Sequence, residues 1–400
     1  MNANLNQFWC IWSFLRFCVM LPILATSLAG CNGSSSEVPL PATQTSSLAS
    51  IPMDAPALTL SKTQISTPSP APIKTPIPDL SLTISPTAAS SVVSLVKWAE
   101  WKLDEAYYAA WLPDSQGIVF TGVEAEGSVA NTYLYNVFTL QLIWQINDAS
   151  SLFAISPDGN IIVGDGLQFW DAHTGQVIAP LYGGNATRFP AFLPDGSALL
   201  VGQAWYSGIG DSKSEVAIWD NDLRRLNTII EQEGYLDRLT VSPDGKLLAA
   251  ALGNILDSEG LKHHEVYLWD LVTNNQRCAF QGNEVTFNPT GNILAIIEKG
   301  EVRLYDTNTC QFLKTLYKSV NVSRFAYNPD GETLALVSSP RDYIRILDAT
   351  SGELLYEQGG SWDAVWQLAY SPDGKFLMSR ESYGTMHKIH VWSVITTPIH

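Results

Sequence analysis

Basic side chains are scarce in this 400-residue sequence, which holds 23 Lys and Arg against 39 Asp and Glu. The formal net charge is −16 at pH 7, and because residues 1–90 hold three side chains of each sign, the whole excess lies between Ser91 and His400. Such a surface repels phosphate groups, so the composition argues against nucleic acid as a partner and against docking onto anionic lipid head groups. The acidity favours solubility instead.

Local catalytic motifs are also missing. The sequence has no Gly-x-Ser-x-Gly elbow, no His-Glu-x-x-His pair, no phosphate loop with its lysine and no paired-cysteine metal spacing. This absence weakens the case for an enzyme without closing it, because catalytic groups scattered over separate loops leave no local pattern. We expect neither a metal nor a cofactor.

What the chain does contain is a repeat, and Leu239 to Asp270 shows its parts. An apolar run leads into the turn Ser242-Pro243-Asp244-Gly245, a second apolar run follows, and Trp269-Asp270 closes the stretch. Proline presets φ in such a turn, Asp tolerates the next position, and Gly supplies the left-handed residue that closes a hairpin. The pattern predicts three short antiparallel strands.

Seven copies of this turn follow one another at spacings of 37 to 49 residues. A small residue and then a large apolar one precede each turn, an alternation that suits an inner strand crowded near an axis. The sequence therefore predicts an all-β repeat domain of seven units over residues 91–400. The turn prolines are Pro113, Pro157, Pro194, Pro243, Pro289, Pro329 and Pro372.

The third strand of each unit ends in a recurring tail. Together with the turns, the tails resemble the WD40 repeat family over nearly all of residues 91–400, and the resemblance implies a seven-bladed β-propeller of four-stranded antiparallel blades. The tails are Leu134-Tyr135-Asn136, Phe169-Trp170-Asp171, Ile218-Trp219-Asp220, Leu268-Trp269-Asp270, Leu304-Tyr305-Asp306, Ile346-Leu347-Asp348 and Val391-Trp392-Ser393.

A fourth, outer strand follows each tail in that family, but only Val394 to His400 follow the seventh. A ring left in this way would expose an unpaired strand edge. The apolar segment Val92 to Val96 has the length of the missing strand, and we predict that it pairs into the last blade and closes the ring. Candidate outer strands for the other units are Gln141 to Ile146, Gln176 to Tyr182, Arg225 to Ile230, Gln276 to Phe280, Gln311 to Tyr317 and Glu353 to Glu357.

The sequence departs from the family in one respect. No unit has the Gly-His pair that usually precedes the first strand. We therefore expect the family's hydrogen-bonded His-Ser-Asp-Trp network to be missing, which favours a WD40-like bacterial propeller over a close relation to cytoplasmic WD40 scaffolds. The tail aspartates should be structural, because a residue that recurs in every unit serves the repeat.

The first 30 residues are predicted to form an export signal. One charge, Arg16, precedes the apolar run Phe17 to Leu24, and the segment closes with Leu28-Ala29-Gly30-Cys31. That tetrad resembles the lipobox of bacterial lipoproteins, which implies a lipid on Cys31. The alternative is an uncleaved membrane helix from Phe8 to Ala29. Either interpretation places the remainder of the chain outside the cytoplasmic membrane, at the cell surface or in a periplasm.

Residues 31–90 are predicted to be a disordered tether behind the lipidated cysteine. They are rich in Ser, Thr, Pro and Ala, with ten prolines, and contain too little apolar surface to offset the entropy of ordering. A flexible chain of this length has an end-to-end distance of about 45 Å.

Five cysteines are present, and three of them lie in or next to the signal, at Cys10, Cys18 and Cys31. Cys278 and Cys310 remain, in neighbouring units. An exported chain can form a disulfide, but two such cysteines are also consistent with small buried apolar residues, and the sequence leaves both possibilities open.

Candidate binding residues lie on the face opposite the Pro-Asp-Gly turns. Two hairpins there are enlarged, at Gly202 to Glu215 and Leu252 to Glu265, and long loops on a rigid ring often carry binding residues. Aromatic rings beside a carboxylate could stack on a sugar or anchor a protein, although each could also be an ordinary loop or blade-edge residue. The candidates are Trp205, Tyr206, Asp211, Tyr235, Asp237, Arg238, His263, Trp362, Asp363, Tyr383 and His387.

The run His263-His264-Glu265 is not predicted to bind a metal, because successive strand residues point to opposite faces. The sequence therefore favours a monomeric, lipid-anchored binding module that recognises a protein or a cell-surface polysaccharide. The alternative is an extracytoplasmic hydrolase or lactonase with carboxylates such as Asp211 and Asp237 near the channel.

Overall fold

The computed structural model describes residues 91–398 except for ten short segments. The predicted signal peptide, Cys31 and the predicted tether lie outside the described residues, as do Asp211, Trp362 and Asp363. The segments left out are 125–129, 148–152, 165–166, 180–186, 207–211, 221–224, 257–261, 320, 339–342 and 360–363.

The described elements are all β-strands, and no described residue belongs to a helix with the length and apolarity needed to cross a membrane. The strands are β1 (Ser91–Leu103), β2 (Glu105–Trp111), β3 (Gly117–Val123), β4 (Asn131–Asn136), β5 (Leu142–Ile146), β6 (Phe153–Ile155), β7 (Ile161–Gly164), β8 (Phe169–Asp171), β9 (Val177–Ala179), β10 (Thr187–Phe192), β11 (Ala198–Tyr206), β12 (Ser212–Asp220), β13 (Arg225–Glu233), β14 (Tyr235–Val241), β15 (Leu247–Leu256), β16 (Lys262–Asp270), β17 (Asn275–Gln281), β18 (Glu284–Phe287), β19 (Ile293–Glu298), β20 (Glu301–Asp306), β21 (Phe312–Tyr317), β22 (Val322–Tyr327), β23 (Thr333–Ser338), β24 (Tyr343–Asp348), β25 (Leu354–Gln358), β26 (Ala364–Tyr370), β27 (Phe376–Tyr383) and β28 (Met386–Pro398).

These strands form seven four-stranded antiparallel sheets in the described part of the chain. Six sheets, or blades, each take four consecutive strands, starting from β2, β6, β10, β14, β18 and β22. The first strand of each blade contacts the first strands of its two neighbours, and β26 contacts β2, so the blades close into a ring. The predicted seven-bladed β-propeller is confirmed, with the first strands lining the central channel.

The seventh blade is assembled from both ends of the domain, in the order β1-β28-β27-β26. Strand β1 pairs antiparallel with β28 from Ser91 opposite Pro398 to Leu103 opposite His387, with an irregularity between Lys97 and Ala99. The predicted closure by Val92 to Val96 is confirmed, and the closing strand is longer than predicted. The added length lets one strand pack on two blades, because Val93 and Leu95 join the core next to the sixth blade while Ala99 and Leu103 join the core next to the first.

Pro-Asp-Gly turns join the first and second strands as the sequence indicated. In the fourth blade, Gly245 has a φ of 72°, its N–H donates to Ser242 O at 2.9 Å, and Asp244 Oδ1 accepts from Lys246 N–H at 3.1 Å. Ser115 takes the corresponding left-handed position in the first blade, where the sequence lacks the glycine, with a φ of 61°. The turn therefore requires a left-handed backbone at this position, and glycine adopts that conformation at the lowest energetic cost.

The tail aspartates close the turn after the third strand. Asp171 Oδ1 accepts from the N–H groups of His173 and Thr174 at 3.0 and 2.8 Å. Asp270, Asp306 and Asp348 make the same pair of bonds, and Asn136 substitutes in the first blade. The structural role predicted for the tail aspartates is confirmed at these four, and the turn that follows the fifth, Asp220, lies outside the described residues.

Most of the hydrophobic core lies between blades. A second strand is covered on both faces by neighbouring blades, and every residue of β3 and β23 is accordingly buried. This explains why the second strands appear in the sequence as unbroken apolar runs rather than alternating ones.

A disulfide joins Cys278 to Cys310 and settles the alternative that the sequence left open. It links β17 of the fourth blade to the loop before β21 of the fifth, with the two Cα atoms 6.2 Å apart and the two cysteines 32 positions apart in sequence. Two neighbouring blades are thus covalently tied at their outer edges.

Candidate functional site

The central channel contains two cavities that meet at one ion pair. The larger, about 500 Å³, extends to the turn prolines Pro243, Pro289 and Pro329, and the smaller, about 350 Å³, opens on the opposite face. Arg238 and Glu284 line both. We call the smaller cavity the mouth. It lies on the face where sequence analysis placed the binding residues.

The mouth is built where first strands begin and second strands end. Aromatic, cationic and carboxylate side chains meet there, and its volume is at the lower end of the range of about 300–1,000 Å³ typical of ligand pockets. Its lining residues are Tyr107, Tyr108, Asp237, Arg238, His264, Asn283, Glu284, Arg324, Trp366, Gln367 and Arg380.

A recurring backbone irregularity positions many of these side chains. Strand pairing shifts register between Ala106 and Tyr108, Leu236 and Arg238, Val322 and Arg324, and Val365 and Gln367. Each shift is a β-bulge, which sets two residues opposite one and redirects side chains. The bulged residues are Tyr107, Asp237, Ser323 and Trp366, and each lies six residues before the proline of its turn.

The floor of the mouth is an ion pair. Arg238 and Glu284 form a salt bridge between neighbouring first strands, and Arg324 Nη1 lies 3.9 Å from the second oxygen of Glu284. Burial works against the Arg238 charge, but the Glu284 carboxylate outweighs it and raises the pKa of Arg238. Arg238 therefore stays charged at neutral pH.

Two further guanidinium groups make their hydrogen bonds to backbone carbonyls. Arg324 Nε donates to Trp366 O at 2.8 Å and its Nη1 to Ser323 O at 2.6 Å. Arg380 Nη1 donates to Ala106 O at 2.7 Å, while the buried Arg380 Nε has no hydrogen-bond partner in the described part of the chain. Burial, with the positive charge of Arg324 added, lowers the pKa of Arg380 to about 10. Arg380 remains charged at pH 7, and no described carboxylate forms an ion pair with it.

A carboxylate and an imidazole face each other on another side of the mouth. Asp237 Oδ2 lies 3.3 Å from His264 Nδ1. Burial raises the pKa of Asp237, and the Glu284 charge adds to this against the opposing effect of His264. A carboxyl with a raised pKa beside a histidine is an arrangement found in acid–base catalysis. The described residues that line the mouth include no Ser, Thr or Cys to act as a nucleophile.

Two aromatic side chains form an exposed rim. Trp366 is 46% exposed and Tyr107 is 39% exposed, and both line the mouth. The Trp366 indole N–H donates to Ser382 Oγ at 3.3 Å, and the Tyr107 hydroxyl donates to Glu105. Burial together with that carboxylate raises the pKa of Tyr107 to about 12. These hydrogen bonds orient the rings and leave their faces available for a ligand.

The structure brings only part of the predicted binding set to the mouth. Asp237 and Arg238 line it, whereas Tyr235 begins β14 and pairs with Gly253 outside the lining. His387 is half-buried opposite Leu103, and its pKa is lowered by burial and by the nearby charge of Arg380. His263 lies 3.1 Å from Glu265 Oε1 and not beside His264, in accordance with the opposite faces of successive strand residues.

The other predicted binding residues that the structure describes lie at the ends of second strands. Trp205 and Tyr206 end β11, and Tyr383 ends β27. The hairpin that carries Trp205 stays paired as far as Tyr206 opposite Ser212. The predicted enlarged loop is therefore largely a longer pair of strands, and the second enlarged hairpin is likewise paired out to Leu256 opposite Lys262.

Sequence analysis missed Tyr107, Tyr108, Asn283, Glu284, Arg324, Trp366, Gln367 and Arg380, and it considered His264 only within the run His263-His264-Glu265. For seven of these eight a signal exists, because the fifth residue before the turn proline lines the mouth in five of the seven units, and the sixth does so in four. Aligning the units on that proline brings together Tyr107-Tyr108, Asp237-Arg238, Asn283-Glu284, Ser323-Arg324 and Trp366-Gln367. Arg380, from a second strand, has no such marker.

Among the described residues, no three His, Cys, Asp or Glu side chains are grouped closely enough to hold a metal ion. The chemistry of the described mouth is that of a cationic pocket with an aromatic rim.

Comparison with known proteins gives partial matches. No family model matches the chain. Periodic tryptophan protein 2 of Saccharomyces cerevisiae is 34% identical over 112 residues, which are 28% of this chain and 12% of that protein. An uncharacterized WD repeat-containing protein of Synechocystis is 28% identical over 150 residues, 36% of this chain and 40% of that protein. Autophagy-related protein 18 of Meyerozyma guilliermondii is 28% identical over 92 residues, 22% of this chain and 16% of that protein.

The matched regions thus span less than half of each relative. Taken with the ring of seven blades, the similarity to WD repeat proteins supports the resemblance drawn from the turns and tails. The described domain is a WD40-like β-propeller.

Proposed function

We propose that this chain is a lipid-anchored, extracytoplasmic interaction scaffold that recognises a protein partner through the mouth of its propeller. The observation that carries the proposal is the exposed Trp366 and Tyr107 rim above two guanidinium groups, Arg324 and Arg380, whose hydrogen bonds go to backbone carbonyls. Tyr, Trp and Arg are the residue types that dominate the binding energy of protein interfaces. The similarity to WD repeat proteins also supports a scaffold.

A protein fits the mouth better than a neutral polysaccharide. Aromatic faces serve both ligands. Arg324 shares the Glu284 carboxylate with Arg238, however, and Arg380 has no ion pair among the described residues, so the mouth favours an anionic group, which a neutral sugar lacks. A cell-surface polymer that carries acidic groups is the second class of partner that the mouth could accept.

The anchor is proposed from the sequence. Cys31 ends the Leu28-Ala29-Gly30-Cys31 tetrad, and the Pro-rich segment behind it supplies a spacer between membrane and propeller. Replacing Cys31 with Ala should release the full chain from the membrane fraction. Retention of the Cys31→Ala protein in that fraction would support the uncleaved helix from Phe8 to Ala29 instead.

The partner interaction is tested by affinity capture from membrane extracts with the full chain as bait. Trp366→Ala and Tyr107→Ala should each deplete the same partner at least tenfold. Phe312→Ala is the matched control, because Phe312 is an exposed aromatic on the outer strand β21, away from the mouth, and it should leave capture unchanged. Equal capture by all three variants would refute the mouth as the binding surface.

A second candidate function rests on Asp237 and His264. Their 3.3 Å separation and the raised pKa of Asp237 favour a hydrolase or lactonase that uses the carboxyl as general acid or base. A panel of ester and lactone substrates separates the two functions. Turnover by the full chain that Asp237→Asn abolishes would favour the enzyme, whereas absence of turnover together with aromatic-dependent capture favours the scaffold.

A further inference from the structure

The mouth carries a charge opposite to that of the protein. Three arginines and two carboxylates line it, which leaves one positive charge in excess, whereas the whole chain has a net charge of −16. The Arg238 charge is compensated by Glu284, to which it is directly paired. The excess therefore resides on Arg324 and Arg380.

These two groups are held in place without being neutralised. Backbone carbonyls of Ser323, Trp366 and Ala106 accept from them, and Arg324 is 3.9 Å from the Glu284 carboxylate that Arg238 already occupies. Their mutual repulsion, added to the burial of Arg380, disfavours the charged form of Arg380. The buried Arg380 Nε has no acceptor among the described residues. The repulsion between Arg324 and Arg380 is unfavourable in the free protein, and an anion bound between them would offset it.

We propose that Arg324 and Arg380 bind a side-chain carboxylate on a protruding acidic segment of the protein partner, with Trp366 and Tyr107 packed against the flanking residues. This inference rests on the proposed function and names the chemistry of the partner. Guanidinium groups bind carboxylates with paired hydrogen bonds, and such charge-assisted bonds are the strong ones at interfaces.

The charge balance selects a carboxylate over a phosphate. One excess positive charge matches a monoanion, whereas a phosphate dianion would face Asp237 and Glu284 across the same small cavity. The cavity of about 350 Å³ also favours a single side chain, because a larger ligand would have to rest on the rim.

The test begins with selection from a random peptide display library on the full chain, purified in mild detergent. Enriched peptides should share an Asp or Glu. Each enriched peptide is then synthesised with that residue or with the corresponding amide, and the amide should bind at least tenfold more weakly. Peptides enriched without an acidic residue would overturn the inference.

The protein side of the test uses the double variant Arg324→Gln/Arg380→Gln. It should bind the acidic peptide at least tenfold more weakly, while Arg324→Lys/Arg380→Lys, which keeps the charge but not the fork of donors, should recover part of the affinity and show that the fold is intact. Arg225→Gln, an exposed arginine on β13, is the matched control and should bind normally. Unchanged affinity of the double Gln variant would overturn the assignment.

Competition separates the possible sources of the anion. Sodium acetate and inorganic phosphate at millimolar concentration should displace the peptide weakly. If free phosphate displaces the peptide at concentrations equal to the dissociation constant of the peptide, the mouth is a site for small anions. That result would overturn the assignment of a carboxylate on a peptide as its ligand. If Trp366-dependent capture persists in the double Gln variant, the carboxylate inference is wrong and the proposed function stands. If acidic peptides bind in an arginine-dependent way but no partner depends on Trp366, the proposed function is wrong and the carboxylate inference stands.

Discussion

His390 Nε2 lies 2.5 Å from Glu100 Oε2, across the strand pair that joins the two ends of the propeller. Behind this contact, His390 Nδ1 is 2.6 Å from Glu381 Oε2, Ser379 Oγ donates to the same carboxylate, and the Trp392 indole donates to Ser379 at 2.8 Å. In the seventh blade a chain of polar groups thus runs from Trp392 through Ser379, Glu381 and His390 to Glu100. It ends on the closing strand, so that closure of the ring is specified by buried hydrogen bonds as well as by strand pairing.

Removing the Glu100 carboxylate should therefore weaken closure in a pH-dependent way. Burial opposes the charge of Glu100, but the hydrogen bonds from Lys97 and His390 prevail and lower its pKa from 4.5 to about 2. A lowered carboxyl pKa stabilises the folded state above pH 4.5, and this contribution disappears as the pH falls towards 2. Glu100→Gln should cost about 1–3 kcal/mol at pH 7, measured by urea unfolding, and the cost should shrink below pH 4.5. Glu353→Gln, on the exposed surface, should cost nothing.

The apolar part of the closing strand gives a second prediction. Leu95 is buried against the sixth blade, and Leu95→Ala should destabilise the protein by about 2–5 kcal/mol because it leaves a cavity at the ring junction. Leu226→Ala, at a position that is 59% exposed, should change the unfolding free energy by less than about 0.5 kcal/mol. Similar urea midpoints for the two variants would contradict a stabilising role for β1.

The disulfide should contribute to stability through the loop it closes. A loop of about 32 residues between Cys278 and Cys310 corresponds to about 3–4 kcal/mol. Cys278→Ser/Cys310→Ser should lower the unfolding free energy by about this amount, and a reducing agent should lower the melting temperature of the parent protein but not of the variant. A melting temperature that reduction leaves unchanged would show that the two blades do not depend on the bridge.

Arg380 is expected to lower the stability of the fold while contributing to binding of the acidic peptide. Its pKa is lowered to about 10, so the charged form is disfavoured in the folded state and the cost is present at every pH below that value. Arg380→Met keeps an unbranched apolar stem and removes the guanidinium charge, and it should raise the urea midpoint at pH 7 while weakening binding of the acidic peptide at least tenfold. A lower midpoint would indicate that Arg380 serves the fold rather than the mouth.

The fold was predictable because its signals are local and repeated. A single unit does not predict the fold from its motifs Pro243-Asp244-Gly245 and Trp269-Asp270. Their recurrence in the other units indicates a repeat domain and gives the number of blades. Closure by Val92 to Val96 followed from the missing outer strand of the seventh unit, but its extension to Leu103 did not, because the partner residues of β28 lie almost 300 positions away.

The site was less predictable for a physical reason. Arg324, Trp366 and Arg380 meet because separate blades and their bulges converge on one axis, and sequence spacing within a blade does not report distances between blades. Trp205 was predicted as a binding residue because its hairpin combines aromatic residues with a carboxylate. Trp366 is identified only by its exposure and by its position at the mouth.

Site-specific photocrosslinking tests the recognition site most directly. A photoreactive amino acid would replace Trp366 in the full chain, and Phe312 in a matched control, and both proteins would be irradiated in cells. The account predicts one covalent adduct from position 366, suppressed by Arg324→Gln/Arg380→Gln, and none from position 312. An adduct of the same partner from position 312 alone, or an adduct from position 366 that the arginine substitutions leave unchanged, would contradict recognition through the mouth.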